Sequence, residues 1–174
     1  MADISLQKSG SIDSDDIYDD EDEEIQENQY LTFYIGNECY ALRLLNIVEI
    51  IRLMNITPVP DMDDFIKGII NLRGKIIPVM DVRLRFRLSE KPYNDRTCII
   101  IGKVQDIEMG FLVDRVSDVV GIPPEQIEAM PGVKSGDRQK FVMGIGKLGD
   151  EIKIILDINM LLFEEELERI KKVS

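Results

Sequence analysis

The chain has 174 residues, 33 Asp and Glu against 21 Lys and Arg, a net charge of −12, two cysteines and no histidine. Without histidine, Ser-His-Asp and Cys-His catalysis, His-ligated metals and phosphohistidine chemistry are excluded, and two distant cysteines do not make a thiolate cluster. A body of this length folds on hydrophobic burial and needs neither disulfides nor a metal.

Residues 1–28 carry eleven of the acids and a single base, Lys8. Such a segment repels itself and has few apolar groups to offset its ordering entropy, so an acidic, disordered tail is expected over 1–28. The remainder is almost neutral, which argues against nucleic-acid binding, since no basic surplus exists to displace counterions. The amino terminus has no apolar signal core, and no run reaches the roughly 18 uninterrupted apolar residues of a membrane span. Cys39 and Cys98 lie in apolar runs and read as reduced, buried thiols. The expectation is a cytoplasmic protein with no direct membrane insertion.

From Tyr30 the texture becomes short β-rich runs divided by turn signals. Tyr30–Ile35 and Glu38–Leu42 flank Gly36-Asn37 and read as a hairpin. Leu44, Leu45, Ile47, Ile50 and Ile51 have helical spacing, which predicts a short helix ended by Pro58-Val59-Pro60. Ile69–Leu72 and Lys75–Met80 flank Arg73-Gly74 as a second hairpin. Strands are predicted at Thr97–Gly102, Ile107–Val113, Phe141–Gly144 and Ile152–Leu156. Asp157–Lys172 reads as helix, with Glu164, Glu165 and Glu166 early and Lys171 and Lys172 late, as the helix dipole favours.

These runs contain a duplication. The segment from Gly68 to Asp81 aligns without gaps on Gly144 to Asp157; each opens on Gly, turns at mid-length and closes a hydrophobic strand with Asp. Upstream, Ala41-Leu42 with Ile47, Glu49, Ile50 and Ile51 matches Gly110-Phe111 with Val116, Asp118, Val119 and Val120. The second copy carries a longer linker, which includes Pro123-Pro124 and the Gly-rich residues Pro131 to Gly136. The implied architecture is mostly β: two small similar units, packed together and closed into barrels that hide their strand edges, with a groove between them for a partner.

Glu49 and Asp118 occupy equivalent places in the copies. Joint acid–base work needs both in one pocket, whereas a solvent-facing acid in each copy needs nothing further. Arg73 is placed at a hairpin tip by Gly74, which can take the positive φ a tight turn requires. Its guanidinium fork suits the carbonyls or carboxylates of a partner, the plainer reading being a solvated turn residue. Arg83, Arg85 and Arg87 alternate with Leu84, Phe86 and Leu88 and read as a solvated polar face. Asp61, Asp63 and Asp64 lack the Gly and closing Glu of an EF-hand, and no phosphate-loop pattern occurs.

The segments Tyr30 to Leu42, Ile47 to Ile51, Ile56-Thr57-Pro58-Val59-Pro60, Gly68 to Arg83 with its Asn71-Leu72-Arg73-Gly74 core, Phe111 to Val119 and Ile155 to Ile158 together resemble the CheW family of chemotaxis coupling proteins. The resemblance spans about residues 29–163, with 164–174 as a C-terminal helix or tail; the acidic segment lies outside it, and Ala41 stands where the family more often has Gly. It implies two SH3-like five-stranded antiparallel β-barrels side by side, with a boundary near 90–96 that admits strand exchange. It also implies a non-enzymatic adaptor without cofactor or metal. Such an adaptor joins the cytoplasmic tips of methyl-accepting chemoreceptors to the regulatory domain of the CheA histidine kinase and supports receptor arrays. By motif, Glu49, Asn71, Arg73 and Gly74 fall at coupling positions, and Leu44, Ile47, Ile50, Val116 and Val119 line an apolar receptor groove. The alternatives are the same module in a receiver-bearing protein of the CheV type, for which too few residues follow the β body, and a small β-barrel hydrolase using Glu49 and Asp118.

Overall fold

A computed structural model describes residues 27–130 and 140–173; the expected tail over 1–28 and the Gly-rich linker at 131–136 lie almost wholly outside them. The Gly36-Asn37 turn joins β1 (Gln29–Ile35) to β2 (Glu38–Arg43), paired from Tyr30–Arg43 to Ile35–Glu38. Helical spacing after it is misleading. Only Leu44–Asn46 turns, as one 3-10 turn, and the chain then extends as β3 (Ile47–Arg52). Four β-branched residues in Ile47, Val48, Ile50 and Ile51 stiffen this run toward strand.

The second hairpin is β4 (Ile66–Leu72) and β5 (Lys75–Asp81), followed by the single-turn helix α1 (Val82–Arg85). Then come β6 (Cys98–Val104), β7 (Ile107–Val113), β8 (Arg115–Gly121), the two-residue β9 (Ile127–Glu128), β10 (Val142–Leu148) and β11 (Glu151–Leu156). The C-terminal helix is shorter than its sequence pattern. Asp157 caps a 3-10 turn at Ile158–Met160, and the helix proper, α2 (Glu164–Lys171), starts where Glu166 accepts the Phe163 N–H at 2.8 Å. No helix among the described residues is long and apolar enough to cross a membrane.

The strands form two sheets, ordered β8-β1-β2-β11-β10-β9 and β3-β6-β7-β5-β4. The class is mostly β in two units, although one sheet has six strands and each contains one parallel pair, β2 with β11 and β5 with β7. The duplication explains the pairing. Ile50 sits opposite Ile100 as Val119 sits opposite Leu31, and Val79 lies beside Gly110 as Ile155 lies beside Ala41. The first copy's opening hairpin joins the second copy's later strands, and the second copy's opening hairpin joins the first copy's later strands. Residues 90–96 separate the copies along the sequence but fall between two parts of the same sheet.

Local devices repeat as well. Gly68 and Gly144 each sit at a bulge in their hairpin. The backbone N–H of Asp81 donates to the Phe65 carbonyl at 2.8 Å and that of Asp157 to the Phe141 carbonyl at 2.9 Å. Each Asp side chain then caps the next turn. Beyond β3 the chain returns so that Thr57 exchanges two backbone hydrogen bonds with Ile69 of β4, at 2.8 and 2.9 Å. The two ends of the five-stranded order thereby meet, as an SH3-like barrel requires.

The main core lies between the sheets and includes Phe33, Tyr40, Phe86, Phe111 and Phe141. The polar face expected for Arg83, Arg85 and Arg87 is corrected here, because only Arg87 is exposed. Asp81 turns the chain into α1 and aims Arg85 inward, where it is 7% exposed and makes a bidentate pair with Glu166 at 2.7 and 2.9 Å. Its guanidinium carbon lies 4.2 Å from the Phe65 ring centre, 4.9 Å from Phe141 and 4.8 Å from Phe163. Those contacts pin α2 to the equivalent phenylalanines of both copies.

Candidate functional site

At the tip of the β4–β5 hairpin, Arg73 has φ +50° and Gly74 φ +85°, the signs a type I′ turn needs. Asn71 Oδ1 accepts the Gly74 N–H at 3.0 Å and fixes that turn. The Arg73 side chain, 70% exposed, reaches Glu49 on β3 and forms an ion pair with it. Four sequence-chosen residues, Glu49, Asn71, Arg73 and Gly74, are thus one cluster across the seam where the barrel closes.

Among its described residues the second copy has no counterpart of this cluster. Gly149 stands where Arg73 would be, and Asp118 instead fixes its backbone to Thr32, exchanging two 3.0 Å hydrogen bonds with the hydroxyl. Glu49 and Asp118 lie on edge strands of different sheets, and Glu49 is engaged by Arg73. The two acids thus have different partners, Arg73 for the one and Thr32 for the other.

The apolar positions divide in two. Leu44, Ile47 and Val116 are half-buried and turn toward the common core. Ile50 and Val119, equivalent residues of the edge strands β3 and β8, are 42% and 51% exposed. Along β3 the exposed row also includes Val48, with Leu45 before it and Leu53 after it. Helical spacing passes over Val48, whereas a strand's two-residue alternation selects Val48, Ile50 and Arg52. An end strand with an exposed apolar row is a surface suited to another chain.

Apart from these candidates, Arg83 grips Asp114 through Nε and Nη2, both at 3.0 Å, and Gly36 N–H adds a bond to the same carboxylate at 2.7 Å. Burial alone pushes the Asp114 carboxyl up, but these bonds hold it below the usual aspartate range. Tyr93 donates to Asp81 at 2.9 Å, and burial with that neighbouring carboxylate pushes its phenol well up. These groups are structural ties between the copies: they lie on β5, α1 and the links around β6 and β8.

The CheW-like domain family matches residues 29–166. The chain is similar to the chemotaxis protein CheW of Klebsiella aerogenes, 34% identical over 146 residues that cover 84% of this chain and 88% of that one. It is also similar to the CheW of Thermotoga maritima, 35% identical over 141 residues, 80% of this chain and 91% of the other. The crystal structure of the scaffolding protein TtCheW from Thermoanaerobacter tengcongensis superposes with a TM-score of 0.74 at 34% identity, covering 80% of this chain and 95% of that one.

Proposed function

The chain belongs to the CheW-like domain family, and from that premise we propose that it is a non-enzymatic chemotaxis adaptor that couples chemoreceptor cytoplasmic tips to the CheA histidine kinase. It works by docking, in the cytoplasm, at membrane-associated arrays reached through its partners. Two observations carry this reading: the exposed row on β3, and the Glu49–Arg73 pair that ties the same edge strand to the β4–β5 hairpin tip. A surface apolar at its centre and charged at its rim is the composition of a protein interface. Asn71 and Gly74 hold Arg73 in place, while Ile50 and Val119 offer apolar contact; Leu44, Ile47 and Val116 support these from the core side. The test is reconstitution of kinase, receptor fragment and this protein. Kinase autophosphorylation should rise only when all three are present, and Ile50→Asp should abolish the rise while leaving the melting temperature near that of the parent. An unchanged autophosphorylation rate when the protein is omitted would reject the adaptor reading.

A further inference from the structure

The two copies end differently, and the difference leaves one sheet face open. The offsets of the repeat set Tyr40, Phe86, Val142, Ile154 and Leu156 against Met109, Leu162, Ile66, Pro78 and Met80. In the five-stranded sheet, α2 crosses the face that bears the second set. Arg169 pairs with Asp63 just before β4 at 2.9 Å, and Lys171 with Asp106 between β6 and β7 at 3.5 Å. Leu167 and Ile170 are buried beneath the helix in the main core, and so are Ile66 and Pro78. In the six-stranded sheet their counterparts Val142 and Ile154 are only half-buried. With Tyr40, Phe86, Leu156 and Met130 they open onto a cleft of about 250 Å³. The cause is the chain after α1. Arg87 takes φ +60°, its N–H donates to the Leu84 carbonyl at 3.0 Å, and Leu88 N–H donates to the Arg83 carbonyl at 2.9 Å. That pattern is a helix stop, and the next element is β6 where the other copy builds α2.

We propose that this cleft is a docking slot for a helical segment of a partner protein, one that presents two aliphatic side chains three residues apart and a basic residue after them. The pattern is set by α2, because Leu167, Ile170 and Lys171 are what the equivalent face already holds. Residues three apart lie on one side of a helix and reach a single apolar surface together. Covering Val142 and Ile154 removes apolar surface from water, which favours the docked state. Glu38 stands exposed at the rim, one residue beyond the place that Asp106 takes in the other copy, and supplies the charge for the basic residue. The same charge opposes the chain's own residues 1–28, whose eleven acids and one base have the wrong sign. Among the described residues, none that line the cleft belongs to β3 or β8. The slot is therefore separate from the row on β3 and does not rest on the reading of that row.

The probe is a helix-stapled peptide with the sequence of residues 163–174, titrated into the methyl-labelled full-length protein. Stapling is needed because so short a helix is marginal in water. The expected result is saturable shifts of the Val142, Ile154 and Leu156 methyls, with Met80 and Met109 unmoved. Ile154→Glu should weaken binding roughly tenfold or more, since docking would bury a carboxylate without a partner. Ile76→Glu, at an exposed isoleucine of the five-stranded sheet, should leave binding unchanged. A peptide carrying Lys171→Glu and Lys172→Glu should bind several-fold more weakly than the parent peptide. The absence of saturable shifts overturns the proposal, as do shifts centred on Met80 and Met109, where the peptide merely competes with α2. Undiminished binding to Ile154→Glu overturns it too. Contacts between the Ile17 or Ile25 methyls and Ile154 in the free protein would give the cleft to the chain's own tail. Shifts that follow protein concentration without peptide would give it to a second copy, and either result rejects a partner helix. If Ile154→Glu melts too low to use, the methyl map of the parent decides.

Discussion

Arg73 can be removed at little cost to the fold, because its pair with Glu49 is largely solvated and exposed pairs contribute about 1 kcal/mol or less. Arg73→Ala should therefore melt close to the parent while losing about 2 kcal/mol of partner binding, roughly thirtyfold, as a docking arginine does. A titration against kinase and receptor fragments, run beside a melt, separates the two effects. Gly74→Val should do the reverse in part: a β-branched residue at φ +85° costs about 1–2 kcal/mol of stability. Asp114 gives the pH counterpart. Its carboxyl is held below the usual aspartate range, so its stabilising effect is complete above a pH of about 4 and is lost as the pH falls through the lower folded-state value. A melt series in acid should decline over that interval, and Asp114→Asn should flatten it while lowering stability at neutral pH. Arg73 was legible as a turn residue because Gly74 follows it. Arg85 was not, because its inward aim depends on a one-turn helix set by the cap at Asp81 and on Glu166, eighty-one residues away.

At the level of elements, the two hairpins and the repeat were readable because turn residues and two-residue alternation are local signals. β3 was not, because apolar residues occupy both of its faces and the resulting spacing imitates a helix. The same double-sided pattern leaves Val48 and Ile50 exposed on an end strand. Closure of the barrel depends on Gly68, where an added Cβ would stand 2.1 Å from the Thr57 carbonyl oxygen that accepts the Ile69 N–H. Gly68→Ala must push the returning chain off β4, at about 1–3 kcal/mol in a backbone conformation already unfavourable for a side chain. A lowered melting temperature, with early hydrogen exchange at Thr57 and Ile69, is the expected signature. Native protection at both amides in that variant would show that the seam tolerates the change.

For the whole molecule, reciprocal strand exchange decides how it folds. A cut between Glu90 and Arg96 severs no strand, yet four ladders join the resulting pieces: β1 with β8, β2 with β11, β3 with β6 and β5 with β7. The first piece keeps only the β1–β2 and β4–β5 hairpins, and the second keeps β6–β7 and β9–β10–β11. Hairpins of this size, and a hairpin extended only by the two-residue β9, are marginal in water, and each would expose its share of a core that lies between the sheets. Neither half of the duplication should therefore fold alone, although each contains a complete copy of the repeat, and the intact body should unfold in one cooperative transition. Purified alone, residues 27–92 and 93–174 should show collapsed, poorly dispersed amide spectra. Mixed in equal amounts, they should assemble into a one-to-one complex that recovers the spectrum of the intact protein. The Arg85–Glu166 clamp also crosses the cut, and leaving one of its charges buried without the other costs about 3–5 kcal/mol. Arg85→Ala in the first piece should accordingly weaken reassembly far more than Arg73→Ala, whose partner Glu49 lies on the same piece. A first piece that folds on its own with dispersed amides would mean that the hairpins carry enough stability without exchange, and the interlocked account of the fold would fail.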